Sequence, residues 1–236
     1  MPNTAVMKLS SSSRGTLAAS FVWPCLAIRA PVPPSGGLWL HEIKHDGFRV
    51  IARKTGKRVK LYSRSGNDLT GRFPLIVETL ANLPSRSCIL DGEAVACGDD
   101  GIADFERIRY HRNDDSVFLY AFDLIELNGE DLRHDPLITR KALLGNLLAS
   151  AAPGLRLNEH IENEGPVVFE RACTLGLEGI VSKRKDSRYL SGRSLHWIKS
   201  KNPNAPAVKR EADENWSRRR PSARTNALYL QPIASY

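Results

Sequence analysis

The stretch most suited to catalysis is a Lys-x-Asp-Gly sequence, in which one residue separates a lysine from an Asp-Gly pair. Lys44 ends an apolar segment, 38–44, that predicts a strand, and Asp46-Gly47 predicts a tight turn before a second strand over 47–54. A strand end would hold the lysine rigidly while the turn leaves its amine open to a ligand. That placement suits a nucleophile. An isolated Lys-x-Asp-Gly also fits a surface lysine beside a hairpin turn.

Further charged and aromatic residues recur downstream in short groups. These groups are Ser63-Arg64-Ser65-Gly66, Leu90-Asp91-Gly92-Glu93, Ala121-Phe122-Asp123-Leu124, Glu178-Gly179-Ile180-Val181-Ser182-Lys183 and Trp197-Ile198-Lys199-Ser200-Lys201. Residues two apart on a strand point to one face. Lys199 and Lys201 therefore share a face, and so do Asp91 and Glu93. Paired lysines suit a phosphate, and paired carboxylates suit a ribose hydroxyl or a divalent ion.

Together with Lys44-His45-Asp46-Gly47-Phe48-Arg49, these groups resemble, in the same order, the motifs of the covalent nucleotidyltransferases. That superfamily comprises ATP-dependent DNA ligases, RNA ligases and mRNA capping enzymes. The motifs are most similar to those of bacterial ATP-dependent DNA ligases of the end-joining type, and they span residues 42–201. The resemblance implies an α+β fold, a nucleotidyltransferase (adenylation) domain of mainly antiparallel sheets flanked by helices.

The resemblance also implies a reaction. Lys44 would attack the α-phosphate of ATP, form a lysyl-AMP phosphoramide and expel pyrophosphate. The AMP would pass to the 5′-phosphate at a DNA break, and the neighbouring 3′-hydroxyl would displace it and seal the strand. Such transfers at phosphorus depend mainly on positioning and charge neutralisation. The positive charge of Lys199 and Lys201 should also favour the neutral, nucleophilic form of Lys44.

Roles for the remaining motif residues follow from the same resemblance. Phe122 would stack on adenine, and Glu42 with Ile43 would line the base pocket. Arg49 and Arg64 would contact ribose or the DNA terminus.

The phosphate and metal ligands are likewise implied by the family. Lys183, Lys199 and Lys201 would line the phosphate site. Glu93 would contact ribose or the metal, and Glu178 would help to hold Mg²⁺ or Mn²⁺, because such ions take carboxylates together with phosphate oxygens and water.

Several of these residues also have an ordinary structural interpretation. An aromatic in an apolar strand, such as Phe122, usually belongs to the core. Lys199 and Lys201 could keep an exposed strand edge soluble. Glu178 could be a surface carboxylate. Asp46 is expected to fix the turn, and Asp91 could equally stabilise a turn.

Periodicity predicts the elements that position these residues. Strands are expected over 38–44, 47–54, 58–62, 87–96, 117–127, 177–183 and 196–200, and helices over 73–82, 104–110, 139–150 and 165–175. Thr139 is the expected N-cap of the third helix. The segment 21–34, punctuated by prolines, is expected to pack as irregular chain.

The domain organisation follows from changes in composition. The composition predicts a disordered segment over 1–20, which contains Ser10-Ser11-Ser12-Ser13. It places the nucleotidyltransferase domain at 21–203 and a basic tail at 204–236. Full-length ATP-dependent ligases add an OB-fold, and 35 residues after Lys201 are too few for one. We therefore expect a minimal ligase, a core completed by a partner, or a copy competent only from adenylated DNA.

Composition favours a nucleic-acid partner. The net charge is +8, and the segment 183–201 holds seven Lys or Arg residues against one acid. Such a segment suits a polyanion, here nicked or broken double-stranded DNA, with end-joining factors or an OB-fold protein as further partners. Four cysteines without CxxC spacing favour reduced thiols and a reducing, intracellular compartment. The resemblance implies the bacterial cytoplasm, at the nucleoid. No stretch is apolar over the length that a bilayer requires, so no membrane association is expected.

Two other functions share these motifs. An RNA ligase or a GTP-using capping enzyme would employ the same Lys44 group. A nick-binding ligase relic without catalysis is the third alternative, although every charged motif residue is present in this sequence.

Overall fold

The structure is a computed structural model, and it describes residues 21–98, 101–111 and 114–210. The predicted disordered segment 1–20 and the tail beyond residue 210 lie outside the described residues. The division into segments 1–20, 21–203 and 204–236 stays a prediction.

Two sheets make up the framework. The first has the strand order β1-β11-β10-β2-β9. Its strands are β1 (Cys25–Arg29), β2 (Trp39–Ile43), β9 (His160–Ile161), β10 (Gly179–Arg184) and β11 (Gly192–Lys201). Strand β1 runs parallel to β11, and the other pairings in this sheet are antiparallel.

The second sheet has the order β4-β3-β5-β6-β7, and β8 pairs in parallel with β6. Its strands are β3 (Phe48–Thr55), β4 (Arg58–Ser63), β5 (Ser87–Val95), β6 (Phe118–Leu127), β7 (Glu130–Asp131) and β8 (Leu155–Leu157). The pairings along the main order are antiparallel. The predicted α+β class with mainly antiparallel sheets is therefore confirmed.

Helices flank both sheets. They are α1 (Pro74–Asn82), α2 (Phe105–Arg109), α3 (Leu137–Leu148) and α4 (Gly165–Thr174), with a 3-10 turn at Asp114–Ser116. Helices α1 and α3 contact the second sheet, and α4 packs on β2 and β10 of the first. Helices α1 to α4 lie close to the segments that the periodicity predicts.

Alternation along the strands of the second sheet gives it two apolar faces. Val50 and Leu90 point to the helices and join the main core with Leu144 of α3. Their neighbours Ile51 and Ile89 point the other way and pack in a second cluster. That cluster also contains Cys25, Phe122, Ile125, Tyr189 and Trp197, so it joins the two sheets. Burial of apolar surface on both faces holds the sheets against each other.

Three local expectations are wrong. The segment 21–34 contains strand β1, because its backbone pairs with β11 far along the chain. Helix α3 begins at Leu137 rather than after Thr139, since Pro136 occupies the N-cap with the φ angle that its ring imposes. Asp46-Gly47 does not close a hairpin, because β2 and β3 belong to different sheets.

The cysteines are free thiols in the structure. Cys25 and Cys88 are buried, whereas Cys97 and Cys173 are half-buried. Burial raises the pKa of both Cys25 and Cys88 to about 11, so these thiols stay protonated at neutral pH. No helix among the described residues is long and apolar enough to cross a membrane.

Candidate active site

Lys44 lies where the chain crosses from the first sheet to the second. Its backbone N–H donates to the carbonyl of Gly179, which fixes it beside β10 at 3.0 Å. The crossing passes tightly against β5, since a Cβ on Gly47 would stand 2.2 Å from the Ala94 carbonyl oxygen. A glycine is needed at this close approach. The lysine is therefore anchored by both sheets rather than by a hairpin turn.

The Lys44 amine is paired with a carboxylate. Its Nζ donates to Oε2 of Glu178 at 2.6 Å, while Oε1 of the same carboxylate lies 3.2 Å from Nζ of Lys201. Glu178 is brought there by Gly179, whose φ of +140° and 2.1 Å approach to the Ser200 carbonyl exclude a side chain. One carboxylate thus serves two lysines from different strands.

A cavity of about 620 Å³ opens beside Lys44. It is lined by Lys44 and by nine other residues that the sequence singles out, namely Glu42, Ile43, Arg49, Arg64, Glu93, Phe122, Lys183, Lys199 and Lys201. Glu178 is not part of this lining, although it contacts two residues that are. A neighbouring cavity of about 760 Å³ includes Glu178 and Lys44 in its wall. The structure therefore brings the predicted site residues together, and their individual roles stay predictions.

Arg49 is held by a buried carboxylate. Its Nε donates to Asp91 Oδ1 at 2.5 Å and its Nη2 donates to Asp91 Oδ2 at 2.7 Å. The hydroxyl of Tyr189 also donates to Asp91, at 2.6 Å. The expectation that Asp91 stabilises a turn is wrong, because it lies inside β5 and anchors the guanidinium. Arg64 is on the turn that follows β4, at the rim of the cavity.

Glu93 is a carboxylate in the cavity wall whose pKa is raised. Burial raises the pKa of Glu93 to about 7, although the nearby charges of Lys44 and Arg49 act in the opposite direction. The negative charge of Glu178 adds to the rise. Near neutral pH this side chain therefore exchanges a proton readily.

Phe122 contributes an aromatic wall. Its ring is 6% exposed, and Trp197 packs against it edge-on with centroids 6.1 Å apart. The Arg49 guanidinium lies 4.4 Å and the Lys183 amine 4.2 Å from the Phe122 centroid. Phe122 therefore serves the core that joins the sheets and also faces the cavity.

Glu42 lies at the centre of a buried charge cluster. Its Oε1 accepts from Lys141 Nζ at 2.7 Å, and its Oε2 accepts from Lys183 Nζ at 2.7 Å. Asn158 Nδ2 approaches Oε2 at 3.4 Å. Burial alone would raise the pKa of Glu42, but the two lysines reverse that effect and lower it. Lys183, predicted to line the phosphate site, lines the cavity, donates to this carboxylate and lies over the aromatic wall, and its role toward a ligand stays a prediction.

His45 connects this cluster to Lys44. Its ring stacks on Tyr120 with centroids 3.9 Å apart, and its Nε2 lies 3.1 Å from Asn158 Oδ1. Burial lowers the pKa of His45 to about 4, so the imidazole is neutral at physiological pH.

Asp46 has a partner that the sequence did not indicate. Nη2 of Arg210 donates to both of its carboxylate oxygens, at 2.8 and 2.6 Å. The Arg210 guanidinium also lies 4.4 Å from the ring centroid of Phe105. Asp46 therefore ties a distant segment to the crossing rather than fixing a turn.

Sequence reasoning missed Lys141, Asn158 and Trp197. A signal for Lys141 exists, because it lies four residues after Leu137 and three before Leu144, on the buried face of α3. Asn158 follows the short strand β8 and has no such pattern. Trp197 stands two residues before Lys199 in the last motif group, so the period of two that pairs the lysines could also have indicated Trp197 on their face.

A divalent cation would find two carboxylates in this region. Among the described residues no group of three or more His, Cys, Asp or Glu side chains could hold a metal ion. Glu93 and Glu178 offer the type of donor that Mg²⁺ takes, which is typically one or two carboxylates together with phosphates and water. That these two residues bind a metal stays a prediction.

The sequence model of the ATP dependent DNA ligase domain matches residues 27–201. The multifunctional non-homologous end joining protein LigD of Pseudomonas aeruginosa is 36% identical over 185 residues, which cover 77% of this chain and 22% of that protein. The SPbeta prophage-derived DNA ligase-like protein LigB of Bacillus subtilis is 32% identical over 184 residues, 76% of this chain and 67% of LigB. The chain thus spans about a fifth of the length of the Pseudomonas LigD protein.

Solved structures give the same result. A mycobacterial DNA ligase D complexed with ATP and MES superposes with a TM-score of 0.68 and 32% identity, covering 75% of this chain and 59% of that one. The ligase domain of Mycobacterium tuberculosis LigD superposes with a TM-score of 0.68 at 33% identity, covering 75% and 58%. The resemblance drawn from the motifs is confirmed. The chain belongs to the ATP-dependent DNA ligase family, as an adenylation domain of the bacterial end-joining type.

Proposed function

We propose that this chain carries AMP covalently on Lys44 and uses it to seal breaks in double-stranded DNA. The observation that carries the proposal is the position of the Lys44 amine, anchored between two sheets at the wall of a cavity that also presents Lys199, Lys201 and Phe122. A nucleotide needs this combination of cations for phosphate and an aromatic surface for the base.

The cavity then has two ends. We call Glu42, Phe122, Lys141, Asn158 and Lys183 the base end, and Lys44, Glu178, Lys199 and Lys201 the phosphate end. With adenine beside Phe122, the α-phosphate would lie near the Lys44 amine. Arg49 and Arg64 would contact the ribose or the DNA terminus, and Glu42 with Ile43 would border the base.

The first step forms one bond and breaks another at the α-phosphorus. The Lys44 nitrogen bonds to phosphorus, the bond from phosphorus to the bridging β-phosphate oxygen breaks, and pyrophosphate leaves. The amine must give up a proton, and Glu178 Oε2, 2.6 Å away, is positioned to accept it. Lys199 and Lys201 would neutralise charge on the transferring phosphate.

The second and third steps reuse the same positioning. An oxygen of the DNA 5′-phosphate displaces Lys44 from phosphorus, which gives an adenylated 5′ end and a free amine. The 3′-hydroxyl then attacks the 5′-phosphorus, and AMP leaves. A Mg²⁺ or Mn²⁺ ion, held by Glu93 and Glu178, would supply charge neutralisation at the phosphates.

The partners proposed are those that the charge and the family suggest. Nicked or broken duplex DNA would bind the basic surface, where seven Lys or Arg residues lie between 183 and 201. End-joining factors, or a protein that supplies an OB-fold, would complete the grip on DNA. The bacterial cytoplasm, at the nucleoid, is the corresponding location.

The decisive experiment is transfer of label from α-labelled ATP to the protein in the presence of magnesium. We expect covalent label in the wild type and none in Lys44→Ala. Lys60→Ala provides the matched control, because Lys60 is an exposed lysine paired with Asp68 on β4 and does not line the cavity. Label from GTP instead of ATP would favour capping chemistry.

Sealing is tested separately with pre-adenylated nicked DNA. Ligation of this substrate by the wild type shows that the chain completes the last step, and an RNA nick offered in parallel tests the RNA ligase alternative. Absence of both label and sealing would overturn the proposal for this chain alone, in favour of a nick-binding relic or of a core that a partner completes.

A further inference from the structure

Lys141 is a buried lysine next to the proposed nucleotide site but outside its lining. It lies on the inner face of α3, and its Nζ donates to Glu42 Oε1 at 2.7 Å and to the Asn158 carbonyl at 3.0 Å. The Lys141 and Glu42 side chains are 2% and 1% exposed. Glu42 borders the cavity, and Lys141 stands behind it.

We propose that Lys141 is a positioning residue that orients Glu42 as an acceptor for the 6-amino group of adenine and so makes the site reject guanine. The inference rests on the proposed nucleotide-binding function of the cavity. Lys141 itself would contact neither the base nor the phosphates, and it would act only through Glu42.

Two cations on one buried carboxylate keep that carboxylate ionised. An ionised carboxylate can only accept hydrogen bonds, and it has about four lone-pair positions. Lys141, Lys183 and Asn158 take up three of them. Glu42 is therefore fixed from behind by Lys141 while one acceptor position can serve a ligand in the cavity.

The chemistry of the two purines makes such an acceptor selective. Adenine carries an amino donor at position 6, whereas guanine carries a carbonyl acceptor there. An acceptor-only carboxylate attracts the first and repels the second. A site built around one hydrogen-bonding group discriminates strongly, since the wrong ligand leaves a buried polar group unpaired.

Substitution of Lys183 would not test whether a lysine behind Glu42 positions that carboxylate. Lys183 also binds Glu42, but its amine lies 4.2 Å and 4.1 Å from the Phe122 and Trp197 ring centroids and it lines the cavity. Its removal would change the base pocket directly. Loss of Lys141 would leave the cavity lining itself unchanged and remove a donor behind it from Glu42 and from the Asn158 carbonyl. Glu42 could then turn away or take up a proton and donate to guanine.

The test is the ratio of ATP to GTP use by Lys141→Met, taken from rates of label transfer at limiting nucleotide. We expect the ratio to fall about tenfold, because a base-directed hydrogen bond loses its orientation. Lys54→Met is the matched control. Lys54 is another buried lysine, 3% exposed, whose amine donates to the Leu83 carbonyl away from the cavity, so its loss should leave the ratio unchanged.

Three additional measurements separate a positioning role from a merely structural one. Lys141→Arg should keep most of the discrimination, and Lys141→Gln repeats the test should the methionine variant unfold. Equilibrium binding of ATP and GTP to Lys44→Met, which cannot form the phosphoramide, should show the same change in ratio. Glu42→Gln combined with Lys141→Met should discriminate no worse than Glu42→Gln alone, because both changes act through one carboxylate.

The possible failures are distinguishable. The wild type could take label from ATP while the folded Lys141→Met variant keeps the wild-type ratio of ATP to GTP use, or loses no more of it than Lys54→Met does. That result would overturn the role of Lys141 and leave the proposed function in place. A wild type that binds neither nucleotide would overturn the proposed function, and this inference with it.

Discussion

The two ends of the cavity both concentrate charge, but they do so in opposite ways. At the base end the side chains of Glu42, Lys141 and Lys183 are at most 2% exposed and bound to one another. At the phosphate end the Lys44 side chain is 24% exposed, whereas those of Glu178 and Lys201 are 6% and 8% exposed, and Glu178 divides its two oxygens between the two lysines.

This contrast separates structural from chemical use of charge. A buried charge that loses its partner is expensive, because neither water nor another group replaces it. A charge near solvent loses little, because water compensates. We therefore expect changes at the base end to appear mainly as lost stability, and changes at the phosphate end mainly as lost chemistry.

The largest difference is expected between two glutamates. Glu42→Leu leaves Lys141 and Lys183 buried without their carboxylate, and it should lower the free energy of unfolding by about 3–5 kcal/mol. Glu178→Leu should cost less, about 1–3 kcal/mol, since water reaches Lys44 although Lys201 is left nearly buried without this carboxylate. Urea unfolding of both variants measures the difference, and equal losses would contradict the distinction between the two ends.

The phosphate end should respond in catalysis. Lys201→Ala removes one cation from the α-phosphate, and label transfer from ATP should fall about 100-fold. The urea midpoint should move less than in Glu42→Leu, because Glu178 keeps its contact with Lys44. Lys185→Ala is the control, because Lys185 follows β10 and pairs with Glu162 at the surface. A large loss of stability in Lys201→Ala would place this lysine with the base end instead.

His45, between the two ends, should make stability depend on pH. Its folded pKa is about 4, and the unfolded chain has the ordinary value of about 6.5. As the pH falls through 6.5 the unfolded state binds the proton first, so stability is lost progressively down to pH 4. The His45→Gln variant should lose about 2 kcal/mol less than the wild type across this window, as measured by chemical unfolding at each pH.

The smallest effect is expected at the rim. Arg210→Ala breaks the ion pair with Asp46. The Arg210 side chain is 25% exposed and that of Asp46 is 19% exposed, so the loss in the free energy of unfolding should stay below about 1 kcal/mol. High salt should reduce the difference from the wild type further. Thermal unfolding at low and high salt checks this expectation, and a salt-independent loss would argue against a screened ion pair.

Much of the candidate site could be located from the sequence because its residues belong to short local patterns. Lys199 and Lys201 alternate along one strand, and a period of two places both on one face whatever the rest of the fold does. Lys44, Glu93 and Phe122 were found through motif groups of known order. That these three residues line one cavity follows only from the tertiary structure.

The residues that sequence reasoning missed, or interpreted incorrectly, have distant partners. Lys141 and Glu42 are 99 positions apart, and Asp46 and Arg210 are 164 apart. Strand β1 was missed for the same reason, because its pairing with β11 leaves no periodic signal in a segment broken by prolines. The Asp-Gly pair fits a hairpin and a crossing between sheets equally well, so its local chemistry could not distinguish them.

The sequence by itself determined the class of chemistry, the order of the motifs and the faces on which the strand residues lie, since these depend on neighbours within a few positions. The tertiary structure alone decided that Lys44 bridges two sheets, that Glu42 is held by Lys141 and Lys183, and that Asp91 supports Arg49. These arrangements depend on the packing of the two sheets around the cluster of Ile51, Phe122 and Trp197. Packing energies between segments distant in sequence set them, and no local pattern records those energies.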